Sequence, residues 1–294
     1  MTRGRNVPER LSAARGWLRR VRRPLGLPTR GKTASGRLRR ADQFLSLAYP
    51  FTLRNLRAPI VDLGFGASPT TTLESLEVLR VLNPSVRLIG VEIDPDRVRA
   101  ALPFAQEGLE FRLGGFNLPL GEGETAGVIR AMNVLRQYPE QEYGRSLGLL
   151  GSYLAPGGIL LEGTSDPPGN MMALNLYVRG SGYLLHDGLA LIANLRHPFS
   201  PRQFQAILPK NLIHHLEPGS PLDAFFGAWS VCWQRAMQTE VRDRRRLFAE
   251  AAGHLHEEHG YHLSPRPSFL RRGILLLHSV PGEALAPLVL ARVR

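Results

Sequence analysis

The chain predicts an α/β protein with a mostly parallel sheet and helices on both faces. Three observations carry this. Residues 59–92, PIVDLGFGASPTTTLESLEVLRVLNPSVRLIGVE, read as an apolar strand, a glycine turn, an amphipathic helix and a second apolar strand, which is a βαβ unit. Apolar runs and helical stretches keep alternating to about residue 163. Near the end, RRGILLLHSV at 271–280 reads as one more strand, expected to run antiparallel and complete the sheet. With 294 residues, 43% of them hydrophobic, there is ample material for one large core.

Composition removes several classes. No run of 18 apolar residues exists, so no membrane-spanning helix is expected. Cys232 is the only cysteine, which excludes an internal disulfide framework and a cysteine-based zinc site and fits a reducing cytosol. The formal charge of +12 resembles a nucleic-acid signature until it is located. Residues 1–40 hold 13 Lys and Arg against the single acid Glu9, whereas residues 41–294 hold 24 against 24. Residues 41–294, nearly all of the expected folded body at 31–294, are therefore close to neutral.

In chain order, residues 1–30 form a basic leader, with Leu11, Ala14, Trp17, Leu18 and Val21 at helical spacing. An amphipathic helix on RNA, on an anionic membrane or on the protein's own surface would explain it, as would a frayed, solvated terminus. GLPTRGKT at 26–33 satisfies the phosphate-loop pattern, but the preceding GWLRRVRRPL cannot supply the buried strand that such a loop needs. Residues 35–48 read as a helix, with Leu38, Ala41, Leu45 and Ala48 on one face.

In the βαβ unit, Ile60, Val61 and Leu63 make a buried strand and Asp62 precedes the turn Gly64-Phe65-Gly66. Glycines there let a backbone approach a ligand closely. Leu73, Leu76, Leu79 and Val81 with Leu82 are expected to give the helix a buried side, and the second strand ends at Glu92 before Ile93-Asp94-Pro95. An acid at that point is placed for ribose hydroxyls. A dinucleotide fingerprint would need a third glycine where Pro69 stands, and a pyrophosphate would be repelled by Asp62, whereas a cationic ligand would be attracted.

These motifs, with LEFRLGGFNLPL as a third strand and LAPGGILLEG as a loop and fifth strand, resemble those of the class I S-adenosylmethionine-dependent methyltransferases over residues 59–163. RGKTASGRLRRADQFL, NVLRQY and LLEGTSD together look like one bacterial branch of that family with an unassigned acceptor. The resemblance implies a Rossmann-like fold with a seven-stranded sheet and S-adenosylmethionine as cofactor. By it, Asp62, Gly64, Phe65 and Gly66 would surround the methionine end, Glu92 and Ile93 the ribose, Gly115 and Phe116 the adenine, and Asn133 would face the transferable methyl. The family's usual acid after the third strand is missing from Gly114-Gly115-Phe116, which leaves one adenine contact unassigned.

Methyl transfer from a sulfonium is an in-line displacement that mainly needs alignment, with a base where the acceptor is protonated. Asn133 and Glu162 are the expected catalytic residues, with Asp166 as another candidate base. Arg136 and Tyr138 are the expected acceptor-binding residues. AMNVLRQY at 131–138 is not the Asn/Asp-Pro-Pro-aromatic motif of nucleobase amine methylation, so a small-molecule acceptor leads. RNA methylation through the basic leader and a non-catalytic, cofactor-binding partner protein are the alternatives.

After residue 163 the pattern thins. MALNLYVRG and LALIANLRH suggest a hairpin over the cofactor cleft, within an insertion spanning 164–228, and residues 200–208 read as a short helix. Residues 222–259 read as a long helical region carrying Phe225, Phe226, Trp229, Val231 and Trp233 near its start. His254, His256, His259 and His262 follow at a spacing that matches no zinc-protease motif, and no metal is expected.

Overall fold

A computed structural model describes residues 20–28 and 31–278, and the backbone of 291–292. The helical spacing read at Leu11 to Leu18 lies outside the described residues. Strand β1 (Ile60–Leu63) sits between β2 (Leu88–Glu92) and β4 (Ala126–Met132) and is parallel to both. Strand β3 (Leu109–Leu113) extends β2, and β5 (Leu154–Ser165) extends β4, again in parallel. Every residue of β1, β2 and β4 is buried, as expected of near-continuous apolar runs covered by helices on both faces.

Among the described residues the sheet has nine strands rather than seven. Beyond β5 come β6 (Met171–Arg179), β7 (Tyr183–Ala193) and β8 (Ile274–His278), each antiparallel to its neighbour, and β9 (Ala291–Arg292) pairs with β7. The full order is β3-β2-β1-β4-β5-β6-β7-β8. The hairpin expected over the cleft is thus a continuation of the sheet. The cause is patterning: residues 172–177 of β6 are buried on both faces, so the hairpin has no polar side to turn to solvent as a lid would.

Helix α1 (Arg39–Ala48) lays Ala41 and Phe44 over Met132, Leu161 and Leu174, and α2 (Pro50–Arg54) follows it. Helix α3 (Thr70–Arg80) crosses from β1 to β2, and α4 (Pro95–Ala101) starts on Asp94, whose side chain accepts from the Asp96 N–H at 2.8 Å. Helix α5 (Glu140–Ser152) covers the other face with Leu147 and Leu150. A 3-10 turn (Pro201–Ile207) opens with a Ser200/Gln203 capping box and leads into α6 (Lys210–Ile213). The long helical region is two helices, α7 (Pro221–Met237) and α8 (Arg244–His259), and α9 (Pro267–Leu270) precedes β8. Phe225, Phe226, Trp229 and Trp233 are buried with Phe204 and Phe248 against Leu189, Leu191, Leu275 and Leu277. Those aromatics are the core of the antiparallel half.

Candidate functional site

The strand order reverses direction between β1 and β4, the place where open α/β sheets bind ligands beyond their strand ends. Gly64 and Gly66 take φ of 74° and 86° in the turn after β1, a conformation that costs glycine little and other residues more. Across the switch point, Asn133 is the only non-glycine with positive φ among the described residues, at 61°. Its side chain explains the tolerance: Asn133 Oδ1 accepts from the Ser165 N–H at 2.9 Å, and Nδ2 lies 3.1 Å from Ser165 Oγ.

A 710 Å³ cavity opens here. Asp62 to Gly66, Met132, Asn133, Arg136 and Gln137 form its sheet side, Thr164 to Pro167 one end, Gly31 to Thr33 with Arg37 another, and Ala206 and Ile207 close it. Arg37 ties two of these walls together, donating through Nη1 to the Lys32 carbonyl at 2.8 Å and through Nε to Ser165 Oγ at 3.1 Å. Arg136 donates to the Ala206 carbonyl at 2.7 Å. The site therefore brings Asp62, Gly64, Phe65, Gly66, Asn133 and Arg136 to one cavity.

Asp62 has another engagement, which corrects the electrostatic role read from sequence. Its carboxylate receives Arg130 Nε at 3.0 Å and Thr72 Oγ1 at 2.6 Å, and Arg130 Nη2 lies 2.8 Å away. Arg130 also pairs with buried Asp42 of α1, which accepts from Ser75 at 3.0 Å. Burial works against the Arg130 charge, but the two carboxylates outweigh it and push its pKa up, while burial raises that of Asp42. Asp62 thus locks α1 and α3 to the sheet, and much of its field is cancelled before it reaches the cavity.

Glu92 is fully buried. It accepts from the Gly66 N–H at 2.8 Å and the Ile93 N–H at 2.9 Å, with Arg97 at 3.7 Å. Burial raises its pKa despite these partners. Here the carboxylate braces the glycine turn against the end of β2 instead of facing open space.

The chain itself fills the adjoining pocket. Phe116 N–H donates to the Leu25 carbonyl at 2.8 Å, and Leu25 N–H donates to Asn117 Oδ1 at 2.6 Å. Leu27 N–H donates to Tyr138 Oη, and Gln137 Nε2 donates to the Leu27 carbonyl at 3.2 Å. Only about 20 Å³ remains among Glu92, Ile93, Gly115, Phe116 and Tyr138. A Cβ on Gly115 would stand 2.1 Å from the Leu25 oxygen. The Phe116 and Tyr138 rings meet at 5.0 Å, so Tyr138 belongs to this pocket and Arg136 to the large cavity. The leader is thus no separate appendage at residues 20–28, because its backbone is bonded into the site.

Glu162 does not line the large cavity. It is buried behind Thr164, where Oε2 accepts from Tyr143 Oη at 2.7 Å and Asn175 Nδ2 at 3.0 Å. Burial pushes its pKa up to about 7 and that of neighbouring His186 down to about 4. Asp166 does line the cavity, with Oδ1 accepting from the Met171 N–H at 3.0 Å. Sequence reading missed Asn117 and Leu25 to Leu27. An Asn one residue past Phe116 was the available signal for the first; no local pattern marked the last.

Neither a protein-family model nor a curated protein matches the chain. Solved structures match in part. The CMeT domain of the citrinin polyketide synthase is 20% identical over 45% of this chain and 36% of its own, with a TM-score of 0.35. An amino pentose methyltransferase of calicheamicin biosynthesis from Micromonospora echinaspora, solved with S-adenosylmethionine, is 14% identical over 65% of this chain and 76% of its own, at 0.32. The plantazolicin methyltransferase BpumL, in complex with a desmethylPZN analog and SAH, is 18% identical over 44% and 46%, at 0.35. For the first and third, the match spans less than two thirds of the neighbour's length. The Rossmann-like assignment follows from the strand order itself.

Proposed function

We propose that this chain is an S-adenosylmethionine-dependent methyltransferase acting on a small-molecule acceptor. The observation that carries the reading is the alignment of three features along the carboxyl ends of the strands. These are the glycine turn after β1, Glu92 at the end of β2, and a donor–acceptor pair after β3 made of Phe116 N–H and Asn117 Oδ1. That pair matches the N1 acceptor and N6 donor on the amino edge of adenine, and Asn117 supplies the contact that the sequence motif left open. The large cavity at Gly64 to Gly66 has room for the methionine end and an acceptor, and 710 Å³ falls within the usual range of small-molecule pockets. The adenosine half has the matching polarity, but Leu25 to Leu27 hold it.

When bound, the cofactor supplies an electrophilic sulfonium methyl. The chain's own residues do the rest. The walls from Lys32, Arg37 and Ile207 limit water around the acceptor. Asn133, fixed through Ser165, presents a rigid edge for alignment. Asp166 is the cavity-lining carboxylate suited to take a proton from a hydroxyl or amine acceptor, in preference to Glu162. The RNA reading drew on the leader, and its described residues 20–28 face the protein's own pocket through their backbone.

Calorimetry with S-adenosylhomocysteine tests the cofactor. Binding to the full chain that is lost in Glu92→Ala is expected, since that change unbraces the Gly66 turn. Unchanged binding in the variant refutes the reading.

A further inference from the structure

We infer that residues 21–27 are a built-in competitor for the nucleoside half of the site, a segment that must leave before a nucleoside can enter. The inference rests on the cofactor reading above and adds how admission to that site is controlled.

The peptide group arrangement at Leu25 is the first ground. Its N–H engages Asn117 Oδ1 and its carbonyl engages Phe116 N–H, so one residue presents the same donor and acceptor that an adenine amino edge presents. Occupation by either excludes the other. Further bonds flank this pair: Val21 N–H to the Leu113 carbonyl at 2.9 Å, Asn117 Nδ2 to the Arg23 carbonyl at 3.0 Å, and Leu27 to both Gln137 and Tyr138. Downstream, the Gly31 carbonyl accepts from the Ala67 N–H at 3.0 Å, beside the glycine turn.

The second ground is how the segment is held. Leu25 and Leu27 are 52% and 53% exposed, so the side chains point largely outward and the backbone makes the contacts. An occupant fixed by polar contacts, with little apolar area buried, is one that a better ligand can displace. Sterics make the position specific. Gly26 has φ of 133°, and a Cβ there would lie 2.8 Å from Tyr138 Oη, while Gly115 accommodates the Leu25 oxygen only because it lacks a Cβ.

A self-occupied site lowers apparent affinity by the fraction of molecules in which it is open. If the segment is seated in about nine molecules of ten or more, evicting it raises nucleoside affinity about tenfold or more. Gly26→Val evicts it by strain and clash, and Leu25→Pro removes the N–H that Asn117 accepts. Both leave Glu92, Ile93, Gly115, Phe116, Asn117 and Tyr138 unchanged in the full-length chain.

The experiment is calorimetric titration of wild type, Gly26→Val and Leu25→Pro with S-adenosylhomocysteine, repeated after adding the synthetic peptide RVRRPLGLP, which copies residues 20–28. Expected are tighter binding in both variants and a reversal of that gain by the peptide. Equal affinity in all three proteins overturns the inference and leaves the cofactor reading standing. Weaker binding in the variants also overturns it, by making the segment part of the cofactor's own site. Absence of binding in every protein refutes the cofactor reading and the inference together.

Discussion

Glu162→Gln turns the buried polar cluster behind the cavity into a measurement. The folded Glu162 has its pKa pushed up to about 7 from 4.5, burial being the main cause. An acid whose folded pKa is raised binds protons more tightly when folded. Stability from this group is therefore full below pH 4.5, declines as pH rises, and levels off above about pH 7. The span corresponds to about 3 kcal/mol. His186, pushed down to about 4 from 6.5, has the opposite slope, losing stability as pH falls through that window. The two slopes offset each other in the wild type, so the informative quantity is the difference between variant and wild type. The amide oxygen of the substituted glutamine can keep the bonds from Tyr143 and Asn175 without carrying charge. Urea unfolding at pH 4.5, 6 and 8 should show the variant's stability relative to wild type increasing by about 3 kcal/mol from the acid to the alkaline end. A difference that stays constant with pH refutes the assignment of a protonatable, buried Glu162.

Three further outcomes follow from other parts of the molecule. Arg130→Met leaves Asp42 and Asp62 buried without their shared cation and should cost about 3–5 kcal/mol, read as a lowered urea midpoint. Asn133→Ala removes both bonds to Ser165 while keeping a left-handed backbone, and should cost about 1–3 kcal/mol, whereas Asn133→Gly should recover part of that loss in the same assay. Gly115→Ala places a methyl where the Leu25 oxygen sits, and should make residues 20–28 more susceptible to trypsin than in wild type under native conditions. Unchanged cleavage would show that the segment does not depend on that contact.

The placement of charge separates what was legible from what was not. Asp62 was visible as an acid before a glycine turn, and its position at the cavity follows from β1 alone. Its neutralisation required Arg130, which is 68 residues away, and Asp42, which comes from a helix preceding the sheet. Nothing local links the three. Glu92 is similar: the strand end was readable, but its service to the Gly66 and Ile93 N–H groups depends on how closely two turns approach. Glu162 read as a cavity base because it ends an apolar strand near an Asp. It lies deeper along β5 than Thr164, and Tyr143 and Asn175 take up its carboxylate there.

The parallel half of the sheet, the two glycines of the turn, and the acids at the first two strand ends were all readable from the amino-acid order. They were readable because strand periodicity, glycine φ and helix amphipathicity are local properties, written within a few residues. Packing was needed to settle that the 171–193 hairpin continues the sheet, that Asn117 completes the edge beside Phe116, and that residues 21–27 lie in the pocket. Each of these depends on hydrogen bonds of the backbone with segments up to 111 residues apart. Backbone groups are the same at every position, so a strand or segment reveals its partner only once packing has brought the two together.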